Sequence, residues 1–222
     1  MFVALFLPIL LFIPQIDAST AIWQKAQAHL AQANGLSFQV KTTVEILEDK
    51  AWLVASTTRG TMKFTQDLTG QFSVVQTRHP ISGEADDFRL QGGCDGKQIW
   101  LADASSKVCQ SMRATPSSLL HLLGGFRIFK KWLNIPELFP LGAFEKHRSH
   151  NGTYTLSQST HWGEESYSFS ADDQITGMTR TTLEGRIRTI MTLSIVGLFD
   201  ADSCKDWSST APASYTQMGD PK

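Results

Sequence analysis

The stretch that decides the fold runs from Arg78 to Asp103. It reads Arg78-His79-Pro80, then Phe88-Arg89, then Cys94-Asp95-Gly96-Lys97-Gln98-Ile99-Trp100-Leu101-Ala102-Asp103. Asp95-Gly96 is typical of a two-residue type I′ hairpin turn, and the segments around it are short, rich in β-branched or aromatic residues and separated by turn formers. The stretch therefore predicts successive antiparallel strands joined by tight turns.

The same pattern continues outward in both directions. Phe38, Val40, Thr42, Val44 and Ile46 alternate with polar residues, which is the period of a strand with one face in water. An amphipathic helix is predicted over Ala21–Ala33, ahead of that strand. Further strands are predicted at 52–58, 61–65, 71–77, 86–91, 98–102, 107–112, 143–150, 153–158, 165–170, 175–183 and 186–196, with Asn151-Gly152 as a second hairpin turn. The fold class is thus mainly β with α: a strongly curved antiparallel sheet of about eleven strands with an N-terminal helix and a central helical insertion.

The central insertion is unusually apolar. Thr115-Pro116-Ser117-Ser118 is a helix-starting sequence, and Gly124-Gly125 divides the segment into two predicted helices. The apolar residues between Leu119 and Leu133 are too numerous for one stripe of a helix. Either both faces of the helices pack in the core, or one face is left for a hydrophobic guest.

The order of these motifs resembles the LolA/LolB family of periplasmic lipoprotein carriers. In that family R-P, F-R and D-G-x-x-x-W-x-x-D recur on successive strands, as at Arg78-His79-Pro80, Phe88-Arg89 and Asp95 to Asp103 here. Thr115 to Leu120 is similar to the T-P-x-x-L-L start of the family's lid helices. The resemblance departs at His79, which splits R-P, and at an inserted loop over 81–87. It implies an open half-barrel with a helical lid on its concave face, which binds lipid and catalyses nothing.

The resemblance implies a carrier that shields acyl chains in a hydrophobic cavity, where each buried methylene is worth about 0.8 kcal/mol. Its partners would be lipoprotein or lipid acyl chains, an inner-membrane donor complex and an outer-membrane acceptor, and Arg78 would contact the backbone of the lid. An envelope-stress sensor of the same fold, which binds lipid or lipoprotein, is the alternative. The side chains predicted to line the cavity are Phe38, Val40, Val44, Phe64, Phe72, Val74, Phe88 and Leu90 from strands, and Leu119, Leu122, Leu123, Phe126 and Phe129 from the lid.

The N-terminus indicates export to the periplasm. Met1 to Ile13 is apolar and too short to cross a bilayer, and the small residue Ala18 suits cleavage, so residues 1–18 are predicted to be a signal peptide and 19–222 one lipid-binding domain. The run has no Lys or Arg before it, which leaves retention as an anchor open. With 20 basic and 21 acidic residues the chain has no field that would attract nucleic acid, and we expect a monomer.

The sequence motifs predict neither an enzyme nor a cofactor. The chain has no G-x-S-x-G, H-E-x-x-H or phosphate-binding glycine loop. His147, His150 and His161 are the nearest approach to a zinc site, but the predicted hairpin register keeps them apart, so no metal is expected. Cys94 and Cys109 would lie two strands apart, roughly 9–10 Å, which is too far for a disulfide, whereas Cys204 can reach either.

Overall fold

The computed structural model describes residues 18–80, 84–137, 142–148, 151–160 and 163–217. The described part begins with helix α1 (Ala18–Gln32) and a meander of six strands: β1 (Gly35–Glu48), β2 (Ala51–Thr65), β3 (Thr69–Arg78), β4 (Asp86–Asp95), β5 (Gln98–Asp103) and β6 (Val108–Arg113). Helices α2 (Pro116–Leu122) and α3 (Phe129–Trp132) follow. Five more strands are β7 (Glu145–Arg148), β8 (Tyr154–Thr160), β9 (Gly163–Phe169), β10 (Ile175–Glu184) and β11 (Ile187–Phe199), and then come α4 (Ala201–Cys204) and the two-residue strand β12 (Thr216–Gln217).

All the strands belong to one open, strongly curved sheet. Their order is β12-β6-β5-β4-β3-β2-β1-β11-β10-β9-β8-β7, and every neighbouring pair is antiparallel except β12 and β6. The two meanders join through β1 and β11, where Phe38 pairs with Ile195 and Val40 with Leu193. The predicted fold class is therefore confirmed.

The topology explains why the helical insertion lies inside the curve. β6 and β7 are consecutive in the chain but lie near opposite edges of the sheet, so the connection between them has to cross one face. A single core cluster on that face contains side chains from α1, α2 and α3 together with strands from β1 to β5 and from β8 to β11. The concave face is therefore covered by helices, as the sequence predicts.

Alternation along the strands decides which residues reach this core. In β1, Leu36, Phe38 and Val40 are buried, whereas Gln39 and Lys41, on either side of Val40, are exposed. Such a period of two is the signature of a strand with one buried face. The predicted strand therefore has the predicted orientation.

The C-terminal segment covers part of the outer face. Trp100 donates a hydrogen bond from Nε1 to the carbonyl of Ser209 (2.9 Å). Trp100, Ala102 and Cys109 form a small buried cluster, against which Ala211 and Tyr215 pack. This second layer stabilises strands β4 to β6 on the side away from the helices.

The three cysteines are free and buried. Cys94 belongs to the inner core and Cys109 to the outer cluster, so these two side chains lie on opposite faces of the sheet. The prediction that Cys94 and Cys109 are not bridged agrees with this placement. Cys204 is also a free thiol, so the pairing that its reach allowed is absent here.

Three strand and turn predictions need correction. Residues 52–58 and 61–65 form one strand, β2, because Gly60 does not break it. A β-carbon at Gly60 would lie 2.1 Å from the carbonyl oxygen of Ser73, so this glycine permits a close approach of β2 and β3. In the first hairpin Cys94 pairs with Ile99, which makes Gly96-Lys97 the turn instead of Asp95-Gly96.

The second hairpin is also shifted by one residue. Arg148 pairs with Tyr154, and His147 pairs with Thr155 instead of Leu156. The predicted hairpin is present, but its connection is longer than the two residues Asn151-Gly152. His150 and His161, and the predicted signal peptide except for Ala18, lie outside the described residues. Within the described part of the chain, none of the helices is long and apolar enough to span a bilayer.

Candidate functional site

We call residues 116–133 the lid. Thr115 caps its first helix: its side chain accepts a hydrogen bond from the backbone N–H of Ser118, and the Ser118 hydroxyl accepts one from the backbone N–H of Thr115. Pro116 occupies the first turn, where the missing N–H has no consequence. Gly124 and Gly125 have φ values of +74° and +69°, which end that helix and turn the chain toward α3. The two-helix prediction is confirmed.

The lid fills the hollow of the sheet with its own side chains. Leu119, Leu123, Phe126 and Phe129 are fully buried. The ring of Phe129 lies 5.4 Å from that of Phe38 in β1, in an edge-to-face contact. The lid therefore occupies the space where a hydrophobic guest is predicted to bind.

Most of the predicted lining residues meet in this core. Leu90 and Leu122 are partly buried and pack against it, and Val44 and Phe88 are half-buried and do not belong to it. Val44 lies toward the β1–β2 turn and Phe88 toward the beginning of β4. The other strand residues of the set, Phe38, Val40, Phe64, Phe72 and Val74, are buried in the core together with the lid residues named above.

The arginine that contacts the lid is not the one predicted. Arg78 is exposed at the end of β3, with its guanidinium 4.3 Å from the centre of the Phe88 ring. Arg180 in β10 instead donates hydrogen bonds to the carbonyl oxygens of Gly124 and Gly125, the latter at 2.7 Å. Its guanidinium also lies 5.1 Å from the centre of the Phe126 ring. The lid is therefore attached to the sheet at its glycine turn by Arg180.

A carboxylate on the neighbouring strand holds Arg180 in place. Glu165 in β9 pairs with Arg180 across the β9–β10 ladder and forms an ion pair with it. The Glu165 side chain is 3% exposed, and it also accepts hydrogen bonds from the Tyr167 hydroxyl and from Gln158 Nε2 (3.3 Å). Burial, reinforced by the Glu165 carboxylate, raises the pKa of Tyr167 well above its usual value, so the phenol stays a donor. We call Arg180 with its partners Glu165, Tyr167 and Gln158 the latch.

Strand parity is the signal that would have identified the latch. Arg180 follows Met178 on the inward-facing positions of β10, and Glu165 precedes Tyr167 on those of β9. A charged residue on the apolar face of a strand is rarely buried unless it is paired. The pairing itself depends on the register of β9 and β10, which periodicity alone does not give.

A small cavity opens beside the glycine turn of the lid. We call it the notch. Its volume is about 200 Å³, smaller than the roughly 300–1,000 Å³ of typical small-molecule pockets. Its lining residues are His121, Gly124, Gly125, Arg180, Thr182, Thr189 and Met191. A long acyl chain does not fit the notch, so such a chain can enter the hollow only when the lid leaves it.

The histidine cluster is only partly described. His147 lies in β7, exposed, and is 3.7 Å from Glu145. Among the residues with described positions there is no group of three side chains suited to hold a metal ion. The prediction that this chain binds no metal remains a prediction, because two of the three histidines fall outside that set.

Comparison with solved structures finds a DUF1329 family protein from Desulfovibrio piger. The two chains are 8% identical, the match covers 84% of this chain and 93% of that chain, and the TM-score is 0.25. No family model and no curated protein matches the chain. A likeness of this size assigns neither a family nor a function, so the functional argument rests on the concave face, its lid and the latch.

Proposed function

We propose that the protein is a periplasmic carrier that binds acyl chains of lipoproteins or other lipids in the hollow of its sheet and transfers them through the envelope toward the outer membrane. The observation that supports this most directly is the lid, an apolar segment that fills the hollow and is tied to the sheet by the latch. In this proposal the chain acts as a monomer between an inner-membrane donor and an outer-membrane acceptor. The transfer requires no catalytic residue, since no covalent bond changes.

The energetics allow the lid and an acyl chain to replace each other. Moving one large apolar side chain from the core to water costs about 1.5–3 kcal/mol, so exposing the seven that the lid buries costs about 10–21 kcal/mol. A chain of about 16 methylenes gains about 13 kcal/mol when it is buried, at about 0.8 kcal/mol each. Loading and unloading are therefore close to balanced, as a carrier requires. The seven lid side chains are Leu119, Leu123, Phe126, Ile128, Phe129, Trp132 and Leu133.

The attachment of the lid is consistent with reversible opening. Its polar ties include the two hydrogen bonds from Arg180 and one from Trp132 Nε1 to the carbonyl of Ala33, at 2.8 Å. When the lid opens, each of these bonds is exchanged for bonds to water, at a net cost of about 0.5–1.5 kcal/mol for the neutral donor and about 1.5–3 kcal/mol for each bond from the charged one. The apolar contacts of the lid are the ones that an acyl chain can replace.

Native mass spectrometry tests the proposal. The purified protein is incubated with a diacylated lipopeptide or with the same peptide lacking its acyl chains, and we expect a 1:1 complex with the acylated form only. Trp132 is 1% exposed in the closed state, so loading should shift its fluorescence to longer wavelength. A Trp132→Phe variant identifies that part of the signal. Equal binding of the two peptides, or no binding of either, contradicts the proposal.

A further inference from the structure

We propose that the notch binds the anionic head group of the lipid cargo, and that this head group displaces the lid carbonyls from Arg180. The inference rests on the proposed carriage of acyl chains and specifies which lipids bind most tightly. It concerns amphiphiles whose head is a carboxylate or a phosphate. A neutral diacylglyceryl group can still place its tails in the hollow, but it has no charge to bind in the notch.

The inward face of the sheet changes from apolar to polar at the notch. Successive cross-strand pairs of β10 and β11 are Met178 with Leu193, Arg180 with Met191, and Thr182 with Thr189. The first pair is buried in the core, and the last lines the notch. A guest whose tail replaces the lid in the core therefore has its polar end beside Arg180 and the two threonines.

The notch offers donors that suit an anion. The Arg180 side chain is 19% exposed, and Thr182 and Thr189 each carry a hydroxyl that can donate. His121, in the last turn of α2, lines the same cavity. Glu165 is the carboxylate paired with Arg180, but it also accepts hydrogen bonds from Tyr167 and Gln158, so its charge is shared among three donors.

Displacement follows from the kind of acceptor that the lid supplies. The carbonyls of Gly124 and Gly125 are neutral, whereas hydrogen bonds in which both partners are charged are shorter and stronger. An anionic head group therefore competes well for the guanidinium. Once the head group binds Arg180, the glycine turn of the lid loses its hydrogen bonds to the sheet. The lipid that binds in the hollow therefore also promotes the opening of the lid. A ligand shifts a conformational equilibrium only by its differential affinity for the two states, and this contact exists only in the open one.

The test compares three lipids with one tail: dodecanoate, dodecyl phosphate and methyl dodecanoate. Binding is followed by Trp132 fluorescence below the concentration at which each lipid aggregates. We expect both anions to bind about tenfold more tightly than the neutral ester, which corresponds to the gain from a charged acceptor. Comparison of the carboxylate with the phosphate shows which of the two heads the notch prefers.

Two variants separate the head-group site from the hollow. The pair Arg180→Met with Glu165→Gln removes both charges of the latch together. It should abolish the preference for anions and at the same time tighten binding of the ester, because the lid opens more easily. Lys41→Met removes an exposed cation on the opposite face and should leave the preference unchanged.

The possible failures are distinguishable. Equal affinity of the wild-type protein for the ester and the anions overturns the head-group site but leaves acyl carriage standing. A preference for anions that survives in the Arg180/Glu165 variant also overturns it. Absence of binding for all three lipids and for the lipopeptide overturns the proposed function itself.

Discussion

Removing the latch should open the lid about a hundred times more often without unfolding the sheet. The perturbation is the double substitution Arg180→Met with Glu165→Gln. Arg180 alone is a poor choice, because Glu165 would remain as an unpaired buried charge, a loss that typically costs about 3–5 kcal/mol for the whole fold. The two hydrogen bonds to the carbonyls of Gly124 and Gly125 come from a charged donor, for which about 1.5 kcal/mol each is a conservative value. Their loss, about 3 kcal/mol, corresponds to a factor of about 100 in the opening equilibrium.

Amide hydrogen exchange measures this opening directly. The N–H of Leu123 bonds to the carbonyl of Leu119, and that of Leu133 to the carbonyl of Phe129, each at 2.9 Å. Both amides should exchange about 100-fold faster in the variant, whereas amides in the ladder between β1 and β11 should change far less.

The matched control for the latch is another Arg–Glu pair of the same sheet. Arg188 and Glu45 form an ion pair of 2.5 Å across β11 and β1, and Arg188 also lies over Trp52. The pair Arg188→Met with Glu45→Gln removes the same two charges without a described contact to the lid. The reasoning is refuted if the lid amides of the Arg180/Glu165 variant exchange at the wild-type rate. It is also refuted if lid exchange is accelerated equally in the Arg180/Glu165 and Arg188/Glu45 variants.

Three further outcomes are expected. Gly60→Ala should lower the free energy of unfolding, measured with urea, by about 1–3 kcal/mol or more, because the new methyl group would lie 2.1 Å from the carbonyl oxygen of Ser73. Gly142→Ala is the control and should have little effect, because the atom nearest to its new methyl group would be 3.8 Å away. Phe129→Ala should cost about 3–5 kcal/mol in the same assay because the ring is fully buried; a loss below about 1 kcal/mol would show that the hollow does not depend on it. Burial raises the pKa of the Cys94 thiol, so an alkylating reagent should label Cys94 slowly in the folded protein, as measured by mass spectrometry. After unfolding, all three free cysteines should be labelled readily. Rapid labelling of Cys94 in the folded protein contradicts its buried placement.

The sequence predicts much of the sheet because strand periodicity is a local property. The alternation from Phe38 to Ile46 identifies β1 without reference to any other strand, and its buried face is observed at Phe38 and Val40. The cap at Thr115 and the Gly124-Gly125 break likewise locate the lid helices, since helix ends are decided by neighbouring residues.

The features that the sequence does not reveal depend on contacts between distant segments. Gly60 looks like a strand breaker, and only the closeness of β3 explains it as part of β2. β12 is too short to have a period, and its pairing with β6 follows from the path of the C-terminal segment. Arg180 lies 55 residues from Gly125, so its contact with the lid requires knowledge of how β10 is placed over that segment.

Because the lid lies in the connection between β6 and β7, it is attached to the sheet at both ends, like a strap. The segment that contains the lid leaves the sheet after Arg113, beside one edge, and rejoins it at Glu145, at the other edge. Such a strap cannot swing about a single hinge, and its slack is set by the distance between its two anchors. A flatter sheet moves the two anchors apart and tightens the segment between them. A more strongly curved sheet brings the anchors together and lets the segment move outward. Any force that bends the sheet would therefore act mechanically on the lid.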